Sequence, residues 1–196
     1  AELVFGMTVM MARNLYNGTS GTELKGKKLG IHAFGQVGRN VARIAKGFGM
    51  EVFAFDPYCP ASVMEAEGVK PITDINELYS TCQYVSLHIP ATNETNYALL
   101  KQMPKGAMLI NTARKEVINE EELVQIMDER PDFRYVSDIT PDNASVFAEK
   151  FTGRYFFTPK KMGAQTAEAN INAGIAAAKQ SVGFLKEGID KFKVNK

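Results

Sequence analysis

The sequence predicts an α/β protein built on a doubly wound parallel sheet with helices on both faces. Three observations lead there. Short apolar runs of strand length alternate with stretches of helical periodicity, and the connections between them are short, the pattern of successive βαβ units. The first apolar run enters a glycine-bearing turn that opens a helix. The 196 residues are 45% hydrophobic and 23% charged, the mix of an ordinary globular domain rather than a disordered chain.

The elements follow in order. Ala1 to Tyr16 reads as a helix, because Leu3, Val4, Phe5, Met7, Val9, Met10 and Met11 put apolar residues on most of its faces. Such a helix is buried or lies in an interface. Glu2 precedes this apolar run and Arg13 follows it, the reverse of a signal peptide's order. After the polar turn Gly18-Thr19-Ser20-Gly21, Lys28 to Phe34 reads as a strand and Gln36 to Phe48 as a helix with Val37, Val41, Ile44 and Ala45 on one face. Glu51 to Phe55 reads as a strand, Val63 to Glu67 as a short helix and Val69 to Ile72 as a brief strand. Asp74 caps a helix from Ile75 to Thr81. A strand from Tyr84 to Ile89 stops at Pro90, and a short helix from Asn96 to Gln102 stops before Pro104. Ala107 to Asn111 is a strand. Asn119 starts a helix whose Glu120, Glu121 and Glu122 suit the positive end of the helix dipole. Phe133 to Val136 and Tyr155 to Phe157 are the last strands, and Gln165 to Lys186 is a long, alanine-rich closing helix. Lys186, Lys191, Lys193 and Lys196 read as a solvated tail.

Composition narrows the function. A formal net charge of +1 gives no whole-chain basic field, which argues against a nucleic-acid partner. Two cysteines make no disulfide framework at this length, so a reducing, cytoplasmic setting is expected. No metal-type cysteine pair and no apolar run of 18 residues is present, so no metal and no membrane partner are expected. His32, inside the first strand, reads as a packed histidine, and Cys59 and Cys82 as ordinary thiols.

Parallel sheets bind ligands at the C-terminal ends of their strands, so the turns after Phe34, Phe55, Leu87, Asn111, Val136 and Phe157 matter most. The first turn, Ala33-Phe34-Gly35-Gln36-Val37-Gly38, is the dinucleotide fingerprint G-x-G-x-x-G with alanine at its first glycine. Gly35 lets the backbone approach a pyrophosphate at the positive helix end, and Gly38 lets helix and strand pack closely. Asp56 ends the second strand 18 residues after Gly38. An acid there accepts from the ribose hydroxyls of NAD and repels the 2′-phosphate of NADP. On its own, Asp56-Pro57 also reads as the opening of a turn.

Further segments, in order, extend the pattern. They are Glu23-Leu24-Lys25-Gly26-Lys27-Lys28-Leu29-Gly30, Phe55-Asp56-Pro57-Tyr58, Leu87-His88-Ile89-Pro90-Ala91-Thr92-Asn93-Glu94-Thr95, Met103-Pro104-Lys105-Gly106-Ala107-Met108-Leu109-Ile110-Asn111-Thr112-Ala113-Arg114 and Gly163-Ala164-Gln165-Thr166-Ala167-Glu168-Ala169. With the glycine turn they resemble, over nearly the whole chain, the Rossmann-type nucleotide-binding domain of the D-2-hydroxyacid dehydrogenases.

The resemblance implies NAD as cofactor and a phosphorylated 2-hydroxy acid as substrate, with oxidation of 3-phosphoglycerate to 3-phosphohydroxypyruvate, the entry step of serine synthesis. Another 2-hydroxy acid, or a co-repressor-like NAD sensor, is the alternative. It further implies an interdomain and dimer-contact helix over residues 1–17, a cofactor domain over 18–164 and a closing helix with a charged tail over 165–196, cut from a longer parent whose substrate domain is largely missing. A homodimer through the opening helix is expected. Gln36 and Val37 then face the pyrophosphate, Asp56 the ribose, and His88, Ile89 and Pro90 border the cofactor. Thr112, Ala113 and Arg114 approach the nicotinamide, Asp138 contacts the nicotinamide end of the cofactor, and Lys161 and Gly163, at the entry to the closing helix, also border the cofactor. Arg114 matches the arginine that clamps the substrate carboxylate, a task suited to a planar, always charged fork.

Two departures stand out. The family's acid/base histidine and the glutamate that orients it are absent. Asn143, beside Asp142, stands at the glutamate position, and Thr158-Pro159-Lys160-Lys161-Met162-Gly163 replaces T-P-H. Alignment from Pro159 puts Lys160 at the histidine, and alignment from Gly163 puts Lys161 there. One reading makes a lysine the proton acceptor, since like charge and burial in a closed site favour a neutral amine, and the resemblance includes dehydrogenases with lysine here. The other makes the lysines anion binders in a chain without hydride chemistry.

Overall fold

A computed structural model describes residues 1–92 and 94–191. Asn93 of the family-like loop, and Lys193 and Lys196 of the expected tail, lie outside the described residues. The chain divides into two compact units, Ala1–Lys160 and Lys161–Lys196.

The first unit opens with α1 (Glu2–Ala12) and then alternates β1 (Lys28–His32), α2 (Gln36–Gly47), β2 (Glu51–Phe55), α3 (Ala61–Ala66), β3 (Lys70–Pro71), α4 (Ile75–Thr81), β4 (Tyr84–Leu87), α5 (Tyr97–Gln102), β5 (Met108–Asn111), α6 (Glu120–Glu129), β6 (Arg134–Ser137), α7 (Ala144–Lys150) and β7 (Tyr155–Phe157). The strands form one seven-stranded sheet in the order β3-β2-β1-β4-β5-β6-β7. Every pairing is parallel, so the predicted doubly wound sheet is the observed one.

Two apolar layers cover the sheet. Leu29, Ile31, Val52, Ala54, Ile110 and Val136 belong to one, with Val4, Phe5, Met7 and Met11 of α1 and Val41, Ala42 and Ala45 of α2. Val85, Leu87, Leu109 and Tyr135 belong to the other, with Leu78 of α4, Leu100 of α5, Leu123, Ile126 and Met127 of α6 and Phe147 of α7. Neighbouring residues of one strand serve opposite layers because side chains alternate across a sheet. The apolar surround of α1 is thus largely used within this chain, with Leu3, Val9 and Met10 left part-buried.

The opening helix stops at Ala12, short of the expected Tyr16. Asn14, Leu15 and Tyr16 instead take left-handed φ values of 51°, 54° and 57°. Arg134 of β6 reaches across to donate to the Met11 carbonyl at 2.6 Å and to Asn14 Oδ1 at 2.9 Å, so a tertiary contact ends this helix where local propensity would extend it. The helix α7 is also absent from the sequence reading. It has seven residues and buries only Phe147, too little for a periodic signal.

The second unit holds α8 (Ala167–Glu187), capped by the Thr166 hydroxyl, which accepts from the Ala169 N–H at 3.0 Å. It ends at Gly188, whose φ of 68° suits glycine. Among the described residues, no helix is long and apolar enough to cross a membrane.

Candidate functional site

The sheet order reverses beside β1, which pairs with β2 on one side and β4 on the other. Turns on the two sides of such a point diverge and leave a crevice beyond the strand ends. β1 delivers the chain to that crevice. Ala33 extends the ladder by donating to the Phe55 carbonyl at 2.9 Å and then takes a φ of 78°. This is the left-handed region that glycine adopts without penalty, at the position where the fingerprint has its first glycine.

α2 begins directly after Gly35. No side chain caps its N-terminus and no acid lies in its first turn, so its leading N–H groups are the orphan donors on which an anion sits. A Cβ added to Gly35 would meet nothing within 4 Å, so the backbone is open on that side. A Cβ on Gly38 would stand 2.5 Å from the Ala33 carbonyl oxygen and 3.0 Å from Ile31 Cγ2. One glycine leaves room for a ligand, and the other lets helix and turn touch. Gln36 and Val37 carry the first-turn amides, and the Val37 side chain is exposed.

Asp56, at the end of β2, accepts from the Phe34 N–H through Oδ2 and from the Tyr58 N–H through Oδ1, both at 2.8 Å. Turn opener and site residue are therefore compatible roles. Each oxygen keeps a lone pair for a further donor such as a ribose hydroxyl. The open helix end, the space at Gly35 and the acid beside the turn fit the chemical demands of a dinucleotide.

Across the crevice, the strand β4 leads into His88, Ile89 and Pro90. The His88 N–H donates to the His32 carbonyl at 2.9 Å, and its Nε2 lies 3.0 Å from Ser86 Oγ. Burial pulls the His88 imidazole down to about 3, so the ring is neutral. Ile89 is buried and Pro90 is exposed.

The turns after β5 and β6 meet through Asn111, which is fully buried. Its Nδ2 donates to the Arg114 carbonyl at 2.8 Å, its Oδ1 accepts from the Ala113 N–H at 2.9 Å, and its backbone carbonyl accepts from the Asp138 N–H at 2.8 Å. One side chain thus shapes the Thr112-Ala113-Arg114 turn, while the same residue's carbonyl anchors Asp138. Thr112 and Ala113 are part-buried and Arg114 is exposed. Asp138 is buried and accepts from the Thr158 hydroxyl at 3.1 Å.

Asn143, standing where the family has its glutamate, is engaged by α6. Its Nδ2 donates to the Glu120 carbonyl and its N–H to Glu120 Oε2, both at 3.2 Å. Asp142 pairs with Lys115 at 2.7 Å. Lys160 is exposed at the end of the first unit. Lys161 and Gly163 open the second unit and are exposed there.

The structure thus gathers Gly35 to Gly38, Asp56, His88 to Pro90, Thr112 to Arg114 and Asp138 at the C-terminal edge of one sheet. Sequence reasoning missed Asn111 and Glu120 as organisers. For Asn111 the available signal is a polar residue ending a buried strand. Glu120 carries a signal for the helix dipole but none for its partners Asp142 and Asn143, far along the chain.

Comparison with known proteins is consistent with this geometry. A family profile described as "D-isomer specific 2-hydroxyacid dehydrogenase, NAD binding domain" matches residues 5–155. Among curated relatives, a D-3-phosphoglycerate dehydrogenase of Methanocaldococcus jannaschii is 32% identical over 100% of this chain and 40% of its own length. The enzyme of that name from Haemophilus influenzae is 30% identical over 100% of this chain and 52% of its own. The chain therefore spans about half the length of these relatives or less. The NAD+-bound crystal structure of 3-phosphoglycerate dehydrogenase from Entamoeba histolytica superposes with a TM-score of 0.90 at 43% identity, covering 100% of this chain and 63% of that one.

Proposed function

Because the chain belongs to the D-isomer-specific 2-hydroxyacid dehydrogenases and carries their NAD-binding domain, we propose that its protein oxidises 3-phosphoglycerate to 3-phosphohydroxypyruvate, in the cytoplasm and at the entry to serine synthesis. The observation that carries this reading is the match, over the whole of this chain and 63% of the other, to an NAD+-bound structure of an enzyme named for that substrate.

NAD, when bound, accepts a hydride from C2 of the substrate. The protein's part is to hold the cofactor, orient the acid and take the hydroxyl proton. The first-turn amides of Gln36 and Val37 receive the pyrophosphate, with Gly35 leaving the space. Asp56 accepts from the ribose. His88, Ile89 and Pro90 form the facing wall, and Asp138 stands at the nicotinamide end. Arg114, its turn shaped by Asn111, offers the guanidinium that binds the substrate carboxylate. Lys160 or Lys161 takes the proton in place of the family's histidine. The engagement of Asn143 with Glu120 supports this, since the glutamate position does not serve a histidine here. In a homodimer through the opening helix, Leu3, Val9 and Met10 are the apolar residues a second copy covers.

Calorimetric titration of this chain with NADH and NADPH is the first test. NADH binds with clear preference, and Asp56→Ala erodes it. Equal affinity for both cofactors would remove Asp56 from its role. In the full-length protein, Lys160→Ala and Lys161→Ala then separate the two lysines. The one that carries the proton lowers kcat more than cofactor affinity. A panel of 2-hydroxy acids tests the substrate, and preference for lactate or glycerate over 3-phosphoglycerate would overturn this assignment.

A further inference from the structure

A group of buried polar side chains beside the crevice has no part in the roles above. His32 ends β1, Tyr79 lies in α4 and Thr95 closes the segment after β4. They are 2%, 0% and 0% exposed. His32 Nδ1 lies 3.2 Å from the Tyr79 hydroxyl, and that hydroxyl lies 3.3 Å from Thr95 Oγ1. On the ring's other side, His32 Nε2 is 3.5 Å from Glu94 Oε2.

Chemistry assigns the donors. An ionised carboxylate only accepts, so Nε2 carries the hydrogen that faces Glu94. In a neutral ring Nδ1 is then the acceptor, and the Tyr79 hydroxyl must donate to it. The Tyr79 oxygen is left to accept from the Thr95 hydroxyl. This arrangement satisfies each group around an uncharged imidazole. A protonated ring would turn Nδ1 into a donor, and the Tyr79 and Thr95 hydroxyls would turn to pass their hydrogens the other way. Burial holds His32 at about 4, against the opposing pull of Glu94 and Asp56. The titratable groups facing it are Glu94 from the segment after β4, Asp56 from the end of β2, Tyr79 from α4 and His88 from the end of β4.

The chain of bonds joins both walls of the crevice. His32 immediately precedes the glycine turn, and its carbonyl accepts from the His88 N–H. The Thr95 N–H donates to the Val117 carbonyl, and the Thr95 carbonyl accepts from the Asn119 N–H. The segment carrying Ile89 and Pro90 is thus pinned at its start by the His32 backbone and at its end by the His32, Tyr79 and Thr95 side chains.

We propose that His32, Tyr79 and Thr95 are positioning residues, whose buried chain fixes the segment bearing Ile89 and Pro90 against the glycine turn and so sets NAD affinity. This rests on the cofactor assignment of the crevice and not on the identity of the substrate.

The test titrates NADH into wild type, Tyr79→Phe and Thr95→Val from pH 8 to pH 5, with melting temperatures alongside. Wild-type affinity stays flat across this range, since His32 is already neutral. Tyr79→Phe keeps the buried ring but deletes the donor to Nδ1. It weakens NADH about three- to ten-fold, equally from pH 8 to pH 5, because burial still holds the ring neutral. Thr95→Val weakens binding less than Tyr79→Phe does, because Tyr79 still donates to His32. A Tyr79→Phe protein that binds NADH within two-fold of wild type at every pH would overturn the proposal, even if it melted lower. A wild type that binds no NADH would bring down the cofactor reading and this proposal with it.

Discussion

Ala33 holds a left-handed backbone that costs a side-chain-bearing residue roughly 1 kcal/mol or more, and Gly38 sits under its carbonyl with no room for a methyl group. Three substitutions in this one turn separate folding from binding. Ala33→Gly relieves the strain and stabilises the chain by about 0.5–1 kcal/mol, net of the added freedom of the unfolded chain. Gly38→Ala drives a Cβ toward the Ala33 oxygen and destabilises by about 1–3 kcal/mol. Gly35→Ala meets nothing in the protein, so its melting temperature barely moves while NADH affinity falls at least ten-fold. Thermal melts and calorimetry on the three variants check this. A Gly35→Ala protein that binds like wild type would mean the cofactor does not approach that backbone. The glycine turn was legible in the sequence because only a few residue types tolerate such backbone geometry. Asn111 and Glu120 were not legible as organisers, because their bonds join segments far apart in the chain.

At the scale of elements, helix starts were readable and helix ends were less so. Asp74, Asn96, Asn119 and Thr166 each accept from a first-turn amide of the helix they open, as short polar side chains do locally. Three helix ends are instead held from a distance by arginines. Arg134 takes the Met11 carbonyl at the end of α1, and Arg130 takes the Met103 and Pro104 carbonyls after α5. Arg154 takes the Met127 and Arg130 carbonyls at the end of α6. Helix C-termini gather at the N-terminal edge of a doubly wound sheet and bring partial negative charge with them. A guanidinium there meets the orphan carbonyls and the dipole together. Arg154→Met loses both bonds and the guanidinium that lies 4.9 Å over the Phe151 ring. It should cost about 1.5–3 kcal/mol in urea denaturation with cofactor affinity unchanged. A loss below 0.5 kcal/mol would show that the bonds do not hold α6. Such caps cannot be read from spacing, because donor and helix end are brought together only by the sheet.

For the first unit as a whole, stability is linked to pH through two histidines. Burial holds His32 at about 4 and His88 at about 3, both below the ordinary 6.5. The unfolded chain therefore binds protons that the folded chain refuses. Their contribution is fully present above pH 6.5 and is lost as pH falls from there toward 4 for His32 and toward 3 for His88, at up to about 1.4 kcal/mol per pH unit for each ring. Urea midpoints should drop between pH 7.5 and pH 5, and a constant midpoint would mean these rings are not shielded. The strand order was not foreseeable from the alternation of strands and helices, which predicts a parallel doubly wound sheet but fits more than one order. It also carries a consequence for synthesis. Of the seven strands of this sheet β1 is made first, yet its register runs Leu29 against Tyr84 and His32 against Leu87. Until β4 emerges, the middle of the future sheet is an open edge. A nascent chain arrested before Tyr84 has its glycine turn but no opposite wall, and nothing yet for a dinucleotide to enter.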